Sequence, residues 1–270
     1  MLRDDYIFVH LESIVNLIYS RGITAKDFLS GILQVPTNIL LLNREVSDDV
    51  PIDNHTFLNE INDAKTISQY LLDPHSSKNW IDFSQAEALS ELTPNDIANL
   101  LYMGHMKSHL DTPFSYKLQN DYVYLEVGTN QVKTYYRRLK NFYAVLNRSV
   151  IRHAEQTYNE HRLVFRRVNH FSELPASMVR QLIPVLGEGV IFAFDQAIEQ
   201  DHELRVPILI ASESNLAPTL RSKESLYNQA QQIAVLKYNL RNQDWHFIIT
   251  NPEGHFDAQK AFVLMTGYFI

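Results

Sequence analysis

The stretch that most constrains the fold of this chain is residues 122–139, where two strand-like segments flank a short turn. Tyr122–Val127 and Val132–Leu139 are rich in β-branched and aromatic residues, which favour β-strands. The intervening Gly-Thr-Asn-Gln has the length and the residue types of a connection between antiparallel strands. The sequence therefore predicts a β-hairpin at this position.

Taking those four residues as the loop also predicts the register of the hairpin. Val127 then pairs with Val132, and Tyr124 pairs with Tyr135. In this register one face of the hairpin is apolar, and the other carries tyrosines beside Lys133 and Arg137. A shift by one residue would exchange the two faces. We expect the tyrosine-bearing face to be the functional one.

A band of positive charge begins within this hairpin. Residues 133–167 contain nine Lys/Arg and two acids, a net charge of +7, whereas residues 1–132 carry −10 and residues 168–270 carry −4. So uneven a distribution of charge along the sequence indicates a positive electrostatic potential at the surface rather than a requirement of the fold. The candidate ligand-binding residues on this surface are Tyr122, Tyr124, Lys133, Tyr135, Arg137 and Arg138.

This basic surface, residues 122–167, has three interpretations. It is a stacking platform for single-stranded nucleic acid, or a pocket for a small anion such as a nucleotide, with Arg137 or Arg138 as a bidentate clamp. Alternatively, it docks against the acidic N-terminal half of the chain or of another subunit. The overall acidity disfavours nucleic acid, and the docking interpretation needs no ligand.

The remaining periodicities predict an α+β fold in two regions. An all-helical N-terminal region, residues 1–112, precedes a region, residues 113–270, with a mixed, mainly antiparallel sheet and packed helices. The predicted N-terminal helices cover 6–21, 25–34, 39–42, 56–72 and 84–92, with a last one opened by Thr93-Pro94. The predicted C-terminal elements are helices at 139–158, 172–186 and 222–240 and strands at 161–168, 190–193, 205–211, 245–250 and 262–270.

Residues 20–29, Ser-Arg-Gly-Ile-Thr-Ala-Lys-Asp-Phe-Leu, resemble the opening of repressor-type helix-turn-helix domains, a resemblance that covers about the first 45 residues. It implies transcriptional regulation through residues 14–44. The recognition helix would be Thr-Asn-Ile-Leu-Leu-Leu-Asn-Arg, which places leucines where base contacts should project. The surrounding acids would repel phosphate, so a helical packing unit is the favoured interpretation.

Two histidines form the candidate for metal chemistry. His105 and His109 lie at positions i and i+4 of a predicted helix, a spacing that can place two imidazoles on one metal ion. The glutamate of a metalloprotease motif is absent, because Met-Lys-Ser lies between them. The sequence contains no phosphate-binding loop, nucleophile elbow or kinase motif set, so we expect no cofactor and no metal.

Composition limits the class of protein. The chain is 45% hydrophobic and 20% charged, which suits a folded core and argues against wholesale disorder. It contains no cysteine, which excludes disulfides and thiolate sites and suits a cytoplasmic protein. No apolar run is long enough for a membrane span, and residues 1–6 lack a secretory-signal pattern. We therefore expect a soluble, cytoplasmic protein.

Three functions follow from this reading. The first is non-catalytic binding of a protein partner, a second copy of the chain or a small anionic ligand through the basic surface. The second is an enzyme acting on a phosphorylated or nucleotide substrate, with Arg137, Arg138 and His105 or His109 in one cleft. The third is the helix-turn-helix regulator.

Overall fold

The computed structural model describes residues 5–42, 59–73, 75, 78–85, 87–106, 110–128, 130–160, 169–211, 223–228 and 230–250. The strands in these ranges are β1 (Ile7–Glu12), β2 (Leu17–Arg21), β3 (Ile39–Leu41), β4 (Asn59–Ile61), β5 (Asn79–Asp82), β6 (Tyr122–Gly128), β7 (Gln131–Tyr136), β8 (Val190–Phe192), β9 (Ile198–Gln200), β10 (Glu203–Ala211), β11 (Ala230–Asn239) and β12 (Asp244–Ile249). The helices are α1 (Ala25–Gly31), α2 (Ala64–Leu72), α3 (Glu87–Ser90), α4 (Pro94–Met106), α5 (Leu139–Glu160), α6 (Ala176–Leu182) and α7 (Lys223–Asn228). Two 3-10 turns cover Ile183–Glu188 and Phe194–Gln196.

The chain divides into two compact units. The first unit comprises Met1–Leu11, Ser20–Gly22 and Leu146–Ile270, and the second comprises Glu12–Tyr19 and Ile23–Val145. In the first unit the strand order is β12-β11-β10-β8-β1, with β9 beside β10, and these pairings are antiparallel. In the second unit the order is β7-β6-β5-β3-β4, with Leu17–Tyr19 of β2 beside β7, and the pairings from β7 to β4 are antiparallel.

The prediction of an all-helical N-terminal region is wrong, because the described residues form twelve strands, mainly in antiparallel pairs, with a few helices. Residues 6–21 form β1 and β2 rather than a helix. Ile7, Phe8 and Val9 are consecutive and fully buried, as in a strand covered on both faces. A run of apolar residues buried on both faces of a strand contains the same i, i+3, i+4 matches that indicate a helix.

Two further segments predicted as helices contain strands instead. Residues 39–42 contain β3, which pairs with β4 and β5. Residues 222–240 contain the short α7 and then the ten-residue β11, which pairs along its length with β10. The predicted helix at 84–92 is reduced to the four residues of α3, and β4 replaces the first part of the helix predicted over 56–72.

Elements with strong local signals are confirmed. In α1 the Asp27 backbone N–H donates to Thr24 Oγ1 at 3.2 Å, and the Thr24 N–H donates to Asp27 Oδ2 at 2.8 Å, which is the predicted capping box. Helix α4 begins at Pro94 after the cap residue Thr93. The long α5, α6 and strands β8, β10 and β12 also occur where the sequence predicts them. The predicted strands at 161–168 and 262–270 lie outside the described residues.

The hairpin is confirmed, but its predicted register is wrong by one residue. Tyr122 pairs with Tyr136, Leu125 with Lys133, and Gly128 with Gln131, with a bulge between Glu126 and Gly128. The connection is tighter than the predicted four-residue loop. Both faces of β6 are buried, so neither face is the solvent-facing one that the predicted register assumes.

Candidate functional site

An aromatic layer packs on one face of the hairpin in the second unit. The ring of Phe28, from α1, lies 5.7 Å from that of Trp80, 5.3 Å from those of Tyr122 and Tyr124, and 6.1 Å from that of Tyr136. Trp80 and Tyr124 stack at 5.4 Å with an interplanar angle of 7°. These contacts position α1 over β5, β6 and β7, and bury three of the hairpin's tyrosines.

The segment after α1 forms one wall of a cavity. Helix α1 ends at Gly31, where an added Cβ would lie 2.4 Å from Val145 Cα of α5, so the two helices touch backbone to backbone. The cavity next to this contact has a volume of about 480 Å³, a size suited to a small ligand. It is lined by Leu33–Thr37, Asp82–Ser84, Gln119, Asp121, Tyr122, Arg138, Lys140 and Asn141.

Asp82, the last residue of β5, brings a carboxyl group to this cavity. The Tyr122 N–H donates to Asp82 Oδ1 at 2.6 Å, and the Asp121 N–H donates to both carboxyl oxygens at 3.0 Å. Burial raises the pKa of Asp82 to about 7 against the lowering effect of these hydrogen bonds, and the negative charge of Asp121 adds to the rise. The carboxyl group therefore titrates near neutral pH.

Asn141, in the first turn of α5, brings a buried carboxamide to the same cavity. Its side chain is 6% exposed, and Nδ2 donates to the Tyr122 hydroxyl at 2.6 Å. Within the described ranges, Oδ1 of Asn141 is buried without a hydrogen-bond partner. Buried acceptors are rarely left unpaired in folded proteins, so this oxygen is an unsatisfied acceptor on a residue that lines the cavity.

Two cations are exposed at the cavity, on either side of the first residue of α5. The side chains of Arg138 and Lys140 line it, and neither takes part in an ion pair or a side-chain hydrogen bond with another described residue. Arg137, in contrast, already has partners within the protein. Its Nε donates to the Asn120 carbonyl at 2.6 Å and lies 3.5 Å from Asp121 Oδ1, and its guanidinium lies 5.1 Å from the Phe114 ring centroid.

The structure places the six sequence-predicted binding residues in different environments. Tyr122 and Arg138 line the cavity. Tyr124 and Tyr135 are buried in the core, where burial raises the pKa of both phenols. Lys133 is half-buried, which lowers its pKa, although nearby Glu12 opposes the effect.

Sequence reasoning missed the acceptor groups of the cavity. Asp82 ends a strand that the periodicity did not indicate, and its proximity to Tyr122 depends on the pairing of β5 with β6. Asn141 stands among the polar positions of α5 in the sequence, yet it is buried in the structure. Neither residue belongs to a motif, so no local signal distinguished it.

The histidine pair finds no support as a metal site. His105 lies on α4 and does not line the cavity, and His109 lies outside the described residues. Across the part of the chain that is described, no group of three or more His, Asp or Glu residues is arranged to hold a metal ion. Among the same residues, no helix is long and apolar enough to cross a membrane.

The described elements of residues 14–42 do not match the helix-turn-helix resemblance. Within residues 14–42 the described elements are β2, α1 and β3, so the helix pair that such a motif requires does not form there. Comparisons with protein-family models, with curated proteins and with solved structures find no match to this chain.

Proposed function

We propose that this protein binds a small anionic ligand in the cavity between the segment after α1, the end of β5 and the start of α5. The observation that carries the proposal is the pair of exposed cations, Arg138 and Lys140, on a cavity of about 480 Å³. A guanidinium can grip a phosphate or carboxylate through two parallel hydrogen bonds, and a neighbouring ammonium adds a point charge.

The backbone supports the same assignment. Arg138 and Lys140 flank Leu139, where the 22-residue helix α5 begins. The N-terminal end of a helix carries a partial positive charge, which favours an anion in its vicinity. Although Asp82 and Asp121 line the same cavity, neither cation forms an ion pair with a described residue, so a ligand anion would not have to displace one.

Only part of the predicted basic surface, residues 122–167, takes part in the proposed anion site. Arg148 pairs with Glu173 at 2.8 Å, and Arg137 is bound to Asn120 and Asp121. Among the described residues that line the cavity, the basic ones are Arg138 and Lys140. The anionic-ligand hypothesis therefore depends on them, together with Tyr122 as part of the wall.

The test is calorimetric titration of the protein with inorganic phosphate, small carboxylates and nucleotides. The double variant Arg138→Ala, Lys140→Ala should bind the best anion about tenfold to a hundredfold more weakly, as expected for the loss of charge-assisted hydrogen bonds. The control variant Lys65→Ala, Arg180→Ala removes the same charge from exposed positions away from the cavity and should retain the affinity. Equal weakening in both double variants, or no binding of any anion by the unaltered protein, would contradict the proposal.

A second candidate is an enzyme acting on a phosphorylated or nucleotide substrate. The observation that favours it is Asp82, because a carboxyl group with a pKa of about 7 suits general acid–base catalysis at neutral pH. Its test is turnover of generic phosphate esters, with Asp82→Asn expected to abolish turnover while ligand binding persists. Turnover that survives this substitution would remove Asp82 from the catalytic role.

A cytoplasmic location, and a protein partner or second copy of the chain on the basic surface of residues 122–167, stay predictions. Sedimentation analysis of the purified protein at low and high salt would test the partner prediction, because contacts between opposite charges weaken as salt screens them.

A further inference from the structure

We infer that the ligand of this cavity carries hydroxyl or amine hydrogen-bond donors in addition to its anionic group, as a polyol phosphate or a hydroxycarboxylate does. The inference rests on the proposed function, since it concerns the same cavity. It adds to the charge of the ligand the hydrogen-bond donors that the more buried wall of the cavity, formed by Asn141 and Asp82, would bind.

The first part of that wall is the carboxamide of Asn141. Its Nδ2–H bond to the Tyr122 hydroxyl orients the amide and leaves Oδ1 as an acceptor with no hydrogen-bond partner among the described residues. An acceptor requires a donor, and a phosphate or carboxylate oxygen is not one. An O–H or N–H on the ligand satisfies it.

The second part is the carboxyl group of Asp82. Among the described residues, its Oδ1 accepts two backbone N–H bonds, whereas Oδ2 accepts the one from Asp121. A carboxylate oxygen has room for two such bonds, so Oδ2 retains capacity for a ligand donor. Tyr122 connects the two acceptors, because its backbone N–H binds Asp82 and its hydroxyl binds Asn141.

The positions of the cations and the acceptors determine the orientation of the bound ligand. The cations Arg138 and Lys140 are exposed, whereas Asn141 is buried and Asp82 is partly buried. An anionic group therefore meets solvent and cations at the mouth, and donor groups reach the acceptors behind it. A ligand with charge alone would leave the buried Oδ1 of Asn141 unsatisfied.

The experiment compares two phosphate monoesters of similar size and equal charge by calorimetric titration: glycerol 3-phosphate, which has two hydroxyls, and n-propyl phosphate, which has none. Glycerol 3-phosphate should bind about tenfold or more tightly, the effect expected of satisfied rather than unsatisfied acceptors. Asn141→Leu, of similar shape but without an acceptor, should reduce the ratio of the two affinities towards one. Asp82→Asn provides a second test of the ratio in case the first variant does not fold, as judged by circular dichroism.

The double variant Arg138→Ala, Lys140→Ala separates this inference from the proposed function. It should weaken both phosphates while leaving the ratio of their affinities unchanged. Equal affinities of the unaltered protein for the two phosphates would overturn the inference and leave the proposed function standing. A ratio that persists in both Asn141→Leu and Asp82→Asn would also overturn it, and binding of neither phosphate would remove both proposals.

Discussion

The backbone N–H of Tyr122 donates to Asp82 Oδ1 at 2.6 Å, which ties the first residue of β6 to the last residue of β5. The two residues are forty positions apart in the chain. This bond places a carboxyl group, a phenol and the Asn141 amide around one cavity. The site therefore depends on strand pairing within the second unit rather than on any contiguous motif.

Asp82 should make stability fall as the pH rises. Its pKa is raised from 3.8 to about 7 in the folded chain, so the folded state binds a proton that the unfolded state releases between these values. The contribution to the free energy of unfolding is largest below pH 4, falls through the interval and levels off above pH 7. From pH 5 to pH 8 the loss is about 2–3 kcal/mol.

Urea unfolding of Asp82→Asn and of the unaltered protein at pH 5 and pH 8 measures this effect. The difference in unfolding free energy between the two proteins should shift by about 2–3 kcal/mol in favour of the variant at the higher pH. Because the other titrating groups are common to both proteins, their contributions cancel. A constant difference would show that Asp82 titrates at its ordinary pKa.

Gly31→Ala should destabilise the second unit. The added Cβ would lie 2.4 Å from Val145 Cα, and backbone on both sides leaves no flexible group to move aside. We expect a loss of about 1–3 kcal/mol, typical of overpacking, with weaker anion binding because α1 carries the cavity wall. Gly187→Ala is the control, since its added Cβ would lie 3.7 Å from the Leu11 carbonyl oxygen, an ordinary contact; comparable losses in thermal unfolding would contradict the prediction.

Phe28→Ala should remove the centre of the aromatic layer. Phe28 is buried and contacts the rings of four aromatic residues on β5, β6 and β7. Truncation of such a side chain costs about 3–5 kcal/mol, measured as the change in unfolding free energy. Tyr116→Ala, at a side chain 82% exposed, should change stability by less than about 0.5 kcal/mol. A loss for Phe28→Ala no larger than that of the control would mean that α1 does not depend on this layer.

Thr24→Ala tests the capping box of α1. The variant removes the hydroxyl that accepts from the Asp27 N–H at 3.2 Å, and a cap lost in this way costs about 1 kcal/mol. Ser30→Ala is the comparison, because its hydroxyl only donates to the Lys26 carbonyl on the exposed side of the same helix. Equal stability of the two variants in urea unfolding would show that the Thr24 cap does not contribute to the stability of the protein.

Features that depend on neighbours along the chain were predictable. The caps at Thr24 and Thr93 act over three residues, and the stripe that begins at Leu139 and Phe142 continues for the whole length of α5. Helix and strand patterns diverge only when one face meets solvent. Ile7, Phe8 and Val9 are all buried, so β1 lacks this contrast and its apolar spacing also fits a helix.

The sequence by itself determined the capped helices, the hairpin between Tyr122 and Tyr136 and the placement of Arg138 and Lys140 at the start of α5, because each rests on contacts within a few residues. Only the tertiary structure decided the register of that hairpin, the burial of its tyrosines and the meeting of Asp82 with Asn141. These depend on which strands pair and which surfaces are covered. Such long-range choices are set by packing, and no short stretch of sequence encodes them.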